Sequence, residues 1–162
     1  MFRTIATLLT AFAFAGPALG DTYRVGDIAI GDPVIIKAFS AARAAGGYMS
    51  LTNTGDQPDA LIGVRTESYG AMIHESSEED GVMLMILRER VEIPAGETVS
   101  FRPGGFHVMF VGLARGDLSE GETLDATLVF ERAGEVPVTF TVEDLQLSDT
   151  RDDEARQRDE TD

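Results

Sequence analysis

The stretch GGFHVMFVGL, Gly104–Leu113, predicts a β-strand that also carries chemically active side chains. Val108 and Phe110 are typical of strands, because β-branched and aromatic residues fit a pleated surface. Successive side chains of a strand point to opposite faces, so His107 and Met109, two residues apart, share one face. The stretch therefore predicts a strand that presents an imidazole and a thioether side by side.

Similar short strands are predicted along the rest of the chain. Turn signals such as Pro94-Ala95-Gly96 and Ala133-Gly134 separate them, and only Ser40–Ala45 hints at a helical turn. Regular strand spacing without a long helical pattern predicts an all-β protein, an antiparallel β-sandwich or Greek-key barrel. The predicted strands cover residues 22–39 with a break at 31–33, then 48–52, 60–66, 71–76, 82–91, 98–103, 106–113, 123–132 and 136–145.

Composition limits the classes of partner. The chain has 162 residues, which suggests one domain. It has 13 Lys and Arg against 28 Asp and Glu, a net charge of -15, which disfavours nucleic acid and anionic membrane surfaces as partners and favours cations. The absence of cysteine excludes disulfides, thiolate metal ligands and a blue-copper centre.

Both ends of the chain differ from the middle. Residues 1–20 have a basic start at Arg3, an apolar run and small residues before a predicted cleavage between Gly20 and Asp21, which is typical of a secretory signal peptide. A membrane anchor is the alternative, but the apolar run is shorter than the roughly 20 residues that span a bilayer. The charged residues 148–162 are expected to form a disordered acidic tail, which leaves residues 21–147 as the folded domain.

Two histidines and two methionines form a spaced set. Ten residues separate His74 from Met85, twenty-one separate Met85 from His107, and one separates His107 from Met109. Each lies on a predicted strand, so three strands could aim two imidazoles and two thioethers at one point. Thioethers are soft, neutral ligands that favour Cu(I) over Zn(II), Mg(II) or Ca(II), and imidazole suits copper in either state. The set therefore predicts a site for a soft monovalent cation.

Other residues near this set have simpler interpretations. Met49 and Met72 are expected in the core, as most strand methionines are. Met83 shares a face with Met85 and is an alternative ligand, whereas Tyr48 is expected to pack in the core rather than beside the site. The acidic run Glu75–Asp80 is expected to be a solvated hairpin loop, with attraction of cations as the alternative.

The spacing and its flanking sequence resemble the periplasmic copper chaperones of the PCuAC, or DUF461, family. The likeness covers residues 28–142 and is carried by the segments AAGGYMSLTNTGDQPDALIGV, GVMLM, IPAGETVSFRPGGFHVMFVGL and LDATLVFERAGEVPVTFTV. Many members carry a tryptophan before the first of these segments, and this chain has none.

The resemblance implies a fold, a metal site and a role. It implies a cupredoxin-like β-sandwich, with an exposed Cu(I) bound by His74, Met85, His107 and Met109. It also implies that the protein delivers copper in the periplasm to the binuclear copper centre of cytochrome c oxidase, with the oxidase copper subunit and a Sco-type protein as partners. No stable membrane insertion is expected after processing. Copper tolerance or storage is the alternative role.

The sequence also bears on two other classes of function. An enzyme is not expected: a histidine brace needs an N-terminal histidine where Asp21 is predicted, two histidines are few for a hydrolytic zinc site, and no nucleophile motif is present. A sandwich-fold binding module without metal is the remaining alternative, because a fold alone does not decide a function.

Overall fold

A computed structural model describes residues 22–37, 42–79 and 81–143 of the chain. The predicted signal peptide and the predicted acidic tail lie outside these ranges. All regular structure in the described part is β-strand, and it contains no helix long and apolar enough to cross a membrane. The expectation of an all-β protein is confirmed.

Eleven strands make up the described part. They are β1 (Thr22–Val25), β2 (Ile28–Ile36), β3 (Ala44–Asn53), β4 (Asp59–Arg65), β5 (Gly70–Glu79), β6 (Val82–Leu87), β7 (Val91–Ile93), β8 (Thr98–Phe101), β9 (Phe106–Val111), β10 (Thr123–Phe130) and β11 (Gly134–Glu143).

Several predicted boundaries were wrong. The chain breaks between β1 and β2 at Gly26, and the residues 31–33 form an irregularity inside β2, where Asp32 has a φ of 50°. The predicted strand 82–91 is two strands, β6 and β7. The described end of the suggested helical turn, Ala44 and Ala45, begins β3. Local turn signals do not reveal that a bulge can absorb a Gly-Asp-Pro sequence while the strand continues.

The acidic run is also not a loop from Glu75 to Glu79, and its last residue, Asp80, lies outside the described residues. Strand β5 continues to Glu79 and pairs antiparallel with β6 from His74↔Leu87 to Glu79↔Val82, so the run Glu75–Glu79 is part of the hairpin ladder. Gly81, with a φ of 77°, supplies the left-handed conformation in the short turn that joins β5 to β6. The acidic run therefore continues the strand that carries His74.

The strands form one continuous curled sheet. Its order is β6-β5-β9-β8-β3-β2-β11-β10-β4-β7, with β1 on β2 and an additional pairing of β9 with β3. Most pairs are antiparallel as predicted, but β11 with β2 and β8 with β9 are parallel. Strand β6 therefore lies at one end of the sheet, next to β5 and two places from β9.

The concave side of the sheet holds the core. Phe110 of β9 and Phe140 of β11 are not sheet neighbours, yet their rings meet edge to face with centroids 5.4 Å apart, so the sheet curls over itself. Burying each such ring stabilises the fold by about 1.5–3 kcal/mol. Because alternate residues of β9, Val108 and Phe110, face this core, His107 and Met109 face the other side.

Candidate metal centre

Strands β5 and β9 bring the two histidines of the chain together. In their antiparallel register His74 lies directly opposite His107, and the ring centroids are 5.9 Å apart with a 35° angle between the planes. Ile73, which precedes His74, lies opposite Val108, which follows His107, and both are buried in the core. The core packing of the alternate residues therefore fixes the two imidazoles as neighbours on the outer face.

Backbone contacts orient the imidazole of His107. Its Nδ1 donates to the carbonyl oxygen of Gly105 at 3.1 Å, and the amide of Ser76 donates to the same oxygen at 3.0 Å. A carbonyl only accepts hydrogen bonds, so Nδ1 carries the proton and the lone pair of the neutral ring is on Nε2. A carbonyl that fixes the tautomer in this way is a common companion of metal-binding histidines.

His74 is held in a state that suits a ligand. Its Nδ1 is the one buried side-chain nitrogen or oxygen atom of the described residues without a hydrogen-bond partner. Burial, and secondly the charge of nearby His107, lowers the pKa of His74. The imidazole is therefore neutral at neutral pH, as a metal-binding imidazole must be.

Met85 and Met109 both line an open cleft. Together with His107 they line a depression of about 270 Å³, and Ser76 and Tyr48 complete part of its wall. Met85 comes from β6, where it lies opposite Ser76 and is 56% exposed, whereas Met109 is half-buried in β9. The four predicted residues thus lie on one face, although His74 is not part of the cleft wall itself.

Tyr48 is a neighbour of the site and not a core residue. Its half-buried ring lies 6.4 Å from the ring of His107, centroid to centroid. The ring extends over Gly46, where a Cβ atom would lie 2.4 Å from the Tyr48 hydroxyl oxygen. Burial raises the pKa of Tyr48, so the phenol stays neutral beside the imidazole. The expectation of core packing was wrong because alternation alone does not tell which face of β3 is inside.

Three further methionines, Met49, Met72 and Met83, lie on described strands. Met49 is 4% exposed and lies in the core, as expected. Met72 was expected in the core as well, but it is 38% exposed and lies opposite Met109 on the histidine-bearing face. Met83 lies opposite Glu78, two residues farther along the β5–β6 ladder than Met85.

The donor atoms of the four predicted residues are imidazole nitrogens and thioether sulfurs. Within residues 22–37, 42–79 and 81–143, no three His, Cys, Asp or Glu side chains are grouped where they could hold a metal ion. Two imidazoles with neighbouring thioethers suit a soft monovalent cation.

A protein-family model described as a putative lipoprotein, LpqE-like, matches residues 28–142, which include all four predicted site residues. The chain belongs to the LpqE-like family. A protein described as putative lipoprotein Lxx21020, from Leifsonia xyli subsp. xyli (strain CTCB07), is 29% identical over 116 residues, which cover 68% of this chain and 69% of that protein.

Solved structures similar to this LpqE-like protein are PCuAC domains. The copper-bound PCuAC domain from PmoF2 is 30% identical with a TM-score of 0.64, and the match covers 76% of this chain and 98% of that domain. The solution structure of apo-DR1885 from Deinococcus radiodurans is 27% identical with a TM-score of 0.57, covering 89% and 97% of the two chains. That protein was also solved with Cu(I), at 28% identity and a TM-score of 0.53 over 80% of this chain and 85% of that one. The PCuAC resemblance and the cupredoxin-like fold are confirmed.

Proposed function

We propose that this LpqE-like protein is a copper carrier that binds one Cu(I) through His74, Met85, His107 and Met109 and releases it by ligand exchange. Copper is its cargo and not a catalytic cofactor, so the proposed role is not enzymatic. The carrier unit is the domain of residues 21–147.

The observation that carries the proposal is the facing pair of histidines with an unpartnered nitrogen. A buried polar atom without a partner costs about 1–3 kcal/mol, and a ligand that accepts its lone pair removes that cost. His74 Nδ1 is such an atom. The ring centroids of His74 and His107 are 5.9 Å apart, and the carbonyl of Gly105 orients the His107 ring. The copper-bound PmoF2 domain and the Cu(I) form of DR1885, which have this fold, support copper as the ion.

Release is favoured by the position of Met85. It lies on β6, at one end of the sheet, with 56% of its surface exposed. An acceptor can therefore approach the ion from the side of β6 and replace this thioether before any imidazole dissociates. Because thioethers carry no proton, such an exchange changes neither the charge of the protein nor the oxidation state of the copper.

The proposed place of action is the periplasm, after removal of residues 1–20. We propose delivery to the binuclear copper centre of cytochrome c oxidase, with the oxidase copper subunit and a Sco-type protein as partners. The PCuAC likeness supports this role, and the names of the LpqE-like relatives, putative lipoproteins, agree with export to the cell envelope.

Anaerobic titration with Cu(I) against a competing chelator tests the binding site. We expect one tight equivalent for the wild-type protein and none for the double variant His74→Ala/His107→Ala. Met49→Leu, which removes a buried thioether from the core, is the matched control and should bind like the wild type. Tight binding that survives the double substitution would contradict the proposal.

Transfer to the purified copper domain of the oxidase subunit tests the delivery role. The copper-loaded protein should pass its ion to that domain, with the oxidised binuclear centre detected by its visible absorption after reoxidation. Binding without transfer, together with copper sensitivity in a deletion strain, would instead support copper tolerance or storage. Catalytic oxidation of a reductant by the loaded protein would contradict the carrier role.

A further inference from the structure

We infer that Met72 is an additional thioether ligand of this site and that it binds Cu(I) when Met85 has been displaced. The inference rests on the proposed function, because it assumes that the histidine pair binds Cu(I). It adds a fifth donor to the four predicted ones and gives the site two alternative ligand sets that share His74, His107 and Met109.

The strand register places Met72 beside the histidines. In the β5–β9 ladder Met72 lies directly opposite Met109, and the next pair on the same face is His74 opposite His107. Cβ atoms of directly opposite residues lie about 4.5–5.5 Å apart, and successive residues on one face are about 7 Å apart. Two imidazoles and two thioethers therefore form a compact group on two adjacent strands.

Met85 occupies the other side of the histidine pair. It lies opposite Ser76 on β5, two residues from His74, while Met72 is two residues from His74 in the opposite direction. Met85 also belongs to an end strand, whereas Met72 belongs to β5, which has β6 on one side and β9 on the other. The two thioethers thus flank the pair, one on a peripheral strand and one on an internal strand.

Burial does not account for Met72. Its neighbour Ile73 is 4% exposed and supplies the core contact of this part of β5, whereas Met72 is 38% exposed. Single exposed apolar side chains are common on protein surfaces. What distinguishes Met72 is an exposed thioether in register with Met109, two residues along the strand from His74, whose Nδ1 has no partner.

The consequence is a defined order of exchange. As an acceptor draws the ion away from Met85, the bond from copper to the Met85 sulfur breaks and a bond to the Met72 sulfur forms. Copper stays as Cu(I), no proton moves, and both thioethers remain neutral. The ion keeps two imidazole and two thioether ligands until the acceptor supplies its own.

The test counts sulfur ligands in variants of the protein purified from the periplasm of an expression host. X-ray absorption of the anaerobic Cu(I) form gives the number of sulfur neighbours, and chelator competition gives the affinity. Met85→Leu should keep two sulfur ligands and lose about tenfold in affinity. Met72→Leu/Met85→Leu should keep one sulfur and lose at least a further tenfold, since even outer-shell changes at metal sites cost about 10–100-fold. Leucine retains the volume and removes only the sulfur.

A second readout follows the methionine methyl groups by NMR. In Met85→Leu labelled with ¹³C-methyl methionine, Ag(I) or Cu(I) should shift the Met72 signal and leave that of the buried Met49 in place. One sulfur ligand in Met85→Leu, with no further loss in the double variant and no shift of Met72, would overturn the inference while leaving the proposed function intact. Tight binding that survives His74→Ala/His107→Ala, or no binding by the wild type, would overturn both.

Discussion

Two groups of buried polar side chains in this protein differ in how their hydrogen bonds are satisfied. Asp59, at the start of β4, is 4% exposed and accepts hydrogen bonds from the amides of Ala60, Arg132 and Ala133 at 2.7–2.9 Å. Asn53 is 1% exposed; its amide nitrogen donates to two carbonyl oxygens, and its oxygen accepts from the amide of Gly55. We call Asn53 and Asp59 the loop-anchoring pair.

The histidine pair has a different pattern. His107 donates to one carbonyl, but the buried Nδ1 of His74 has no partner. Polar groups that hold loops in place are expected to be fully satisfied by the backbone, as the loop-anchoring pair is. A polar group that is kept available for a ligand remains unsatisfied until the ligand binds. Stability and metal binding thus depend on different polar groups of this protein.

The largest expected effect is stabilisation by a metal ion. Ag(I), a redox-inert substitute for Cu(I), should raise the free energy of unfolding by about 4 kcal/mol when its free concentration is 1,000 times its Kd, because it binds only the native state. Thermal unfolding followed by circular dichroism measures the effect. The same silver concentration should leave the melting temperature of His74→Ala/His107→Ala unchanged. No shift in the wild type would favour the binding module without metal.

The next effect concerns the loop-anchoring pair. Asp59→Ala should lower the free energy of unfolding by about 3 kcal/mol, because three backbone amides, one buried and two part-buried, lose their carboxylate acceptor. Urea denaturation measures the change. The folded fraction should bind Cu(I) as the wild type does, since Asp59 contacts β4 and the turn between β10 and β11, away from the histidine pair.

Asp59→Asn is the matched control for this prediction. It retains an oxygen that can accept from Ala60 and Arg132, which both donate to Oδ1, and loses the acceptor for Ala133. Its stability should therefore lie between those of the wild type and Asp59→Ala. A loss of copper affinity in Asp59→Asn as large as that in a histidine variant would show that the two groups are not independent.

The converse change belongs to the histidine pair. His74→Ala should weaken Cu(I) binding about 100-fold, which is about 2.8 kcal/mol, while the free energy of unfolding of the metal-free protein changes by less than about 1 kcal/mol. The substitution removes a buried nitrogen atom that has no hydrogen-bond partner, and this gain offsets part of the free energy lost with the packing of the ring. Chelator competition and urea denaturation of the same preparation measure both quantities. Equal losses in stability and affinity would assign His74 to the fold.

Much of this fold could be predicted from the sequence, because strand periodicity and turn residues are local signals. The alternation in β9 is such a signal, and it assigned His107 and Met109 to one face. Strand pairing depends on contacts distant in sequence, so the parallel pairs of β2 with β11 and β8 with β9 could not be read from alternation. The continuation of β5 through acidic residues was missed because charged side chains are rare in strands, although an outer hairpin tolerates them.

The site shows the same limit. Spacing identified the histidines and methionines as a set, but the register of β5 with β9 decides which of them are adjacent. That register makes Met72 a neighbour of Met109 and His74 a neighbour of His107. Without it Met72 was interpreted as an ordinary core methionine and Tyr48 as a core aromatic. A one-residue change of register would have moved each to the opposite face.

The smallest expected effect is the pH dependence of the metal-free protein, and it follows from the sign of one pKa shift. Burial, together with the charge of His107, lowers the pKa of His74 below its ordinary value of 6.5 in the folded state. Above that value His74 is neutral in both states and contributes no pH dependence. As the pH falls through 6.5, the unfolded chain binds a proton that the folded protein binds only at lower pH, so the free energy of unfolding decreases.

His74→Ala lacks this contribution, and its stability should fall less than that of the wild type between pH 7.5 and 5.5 in urea denaturation. Parallel curves for the two proteins would mean that the imidazole of His74 is as easily protonated in the fold as in the unfolded chain, and the contrast with the loop-anchoring pair would then rest on geometry alone.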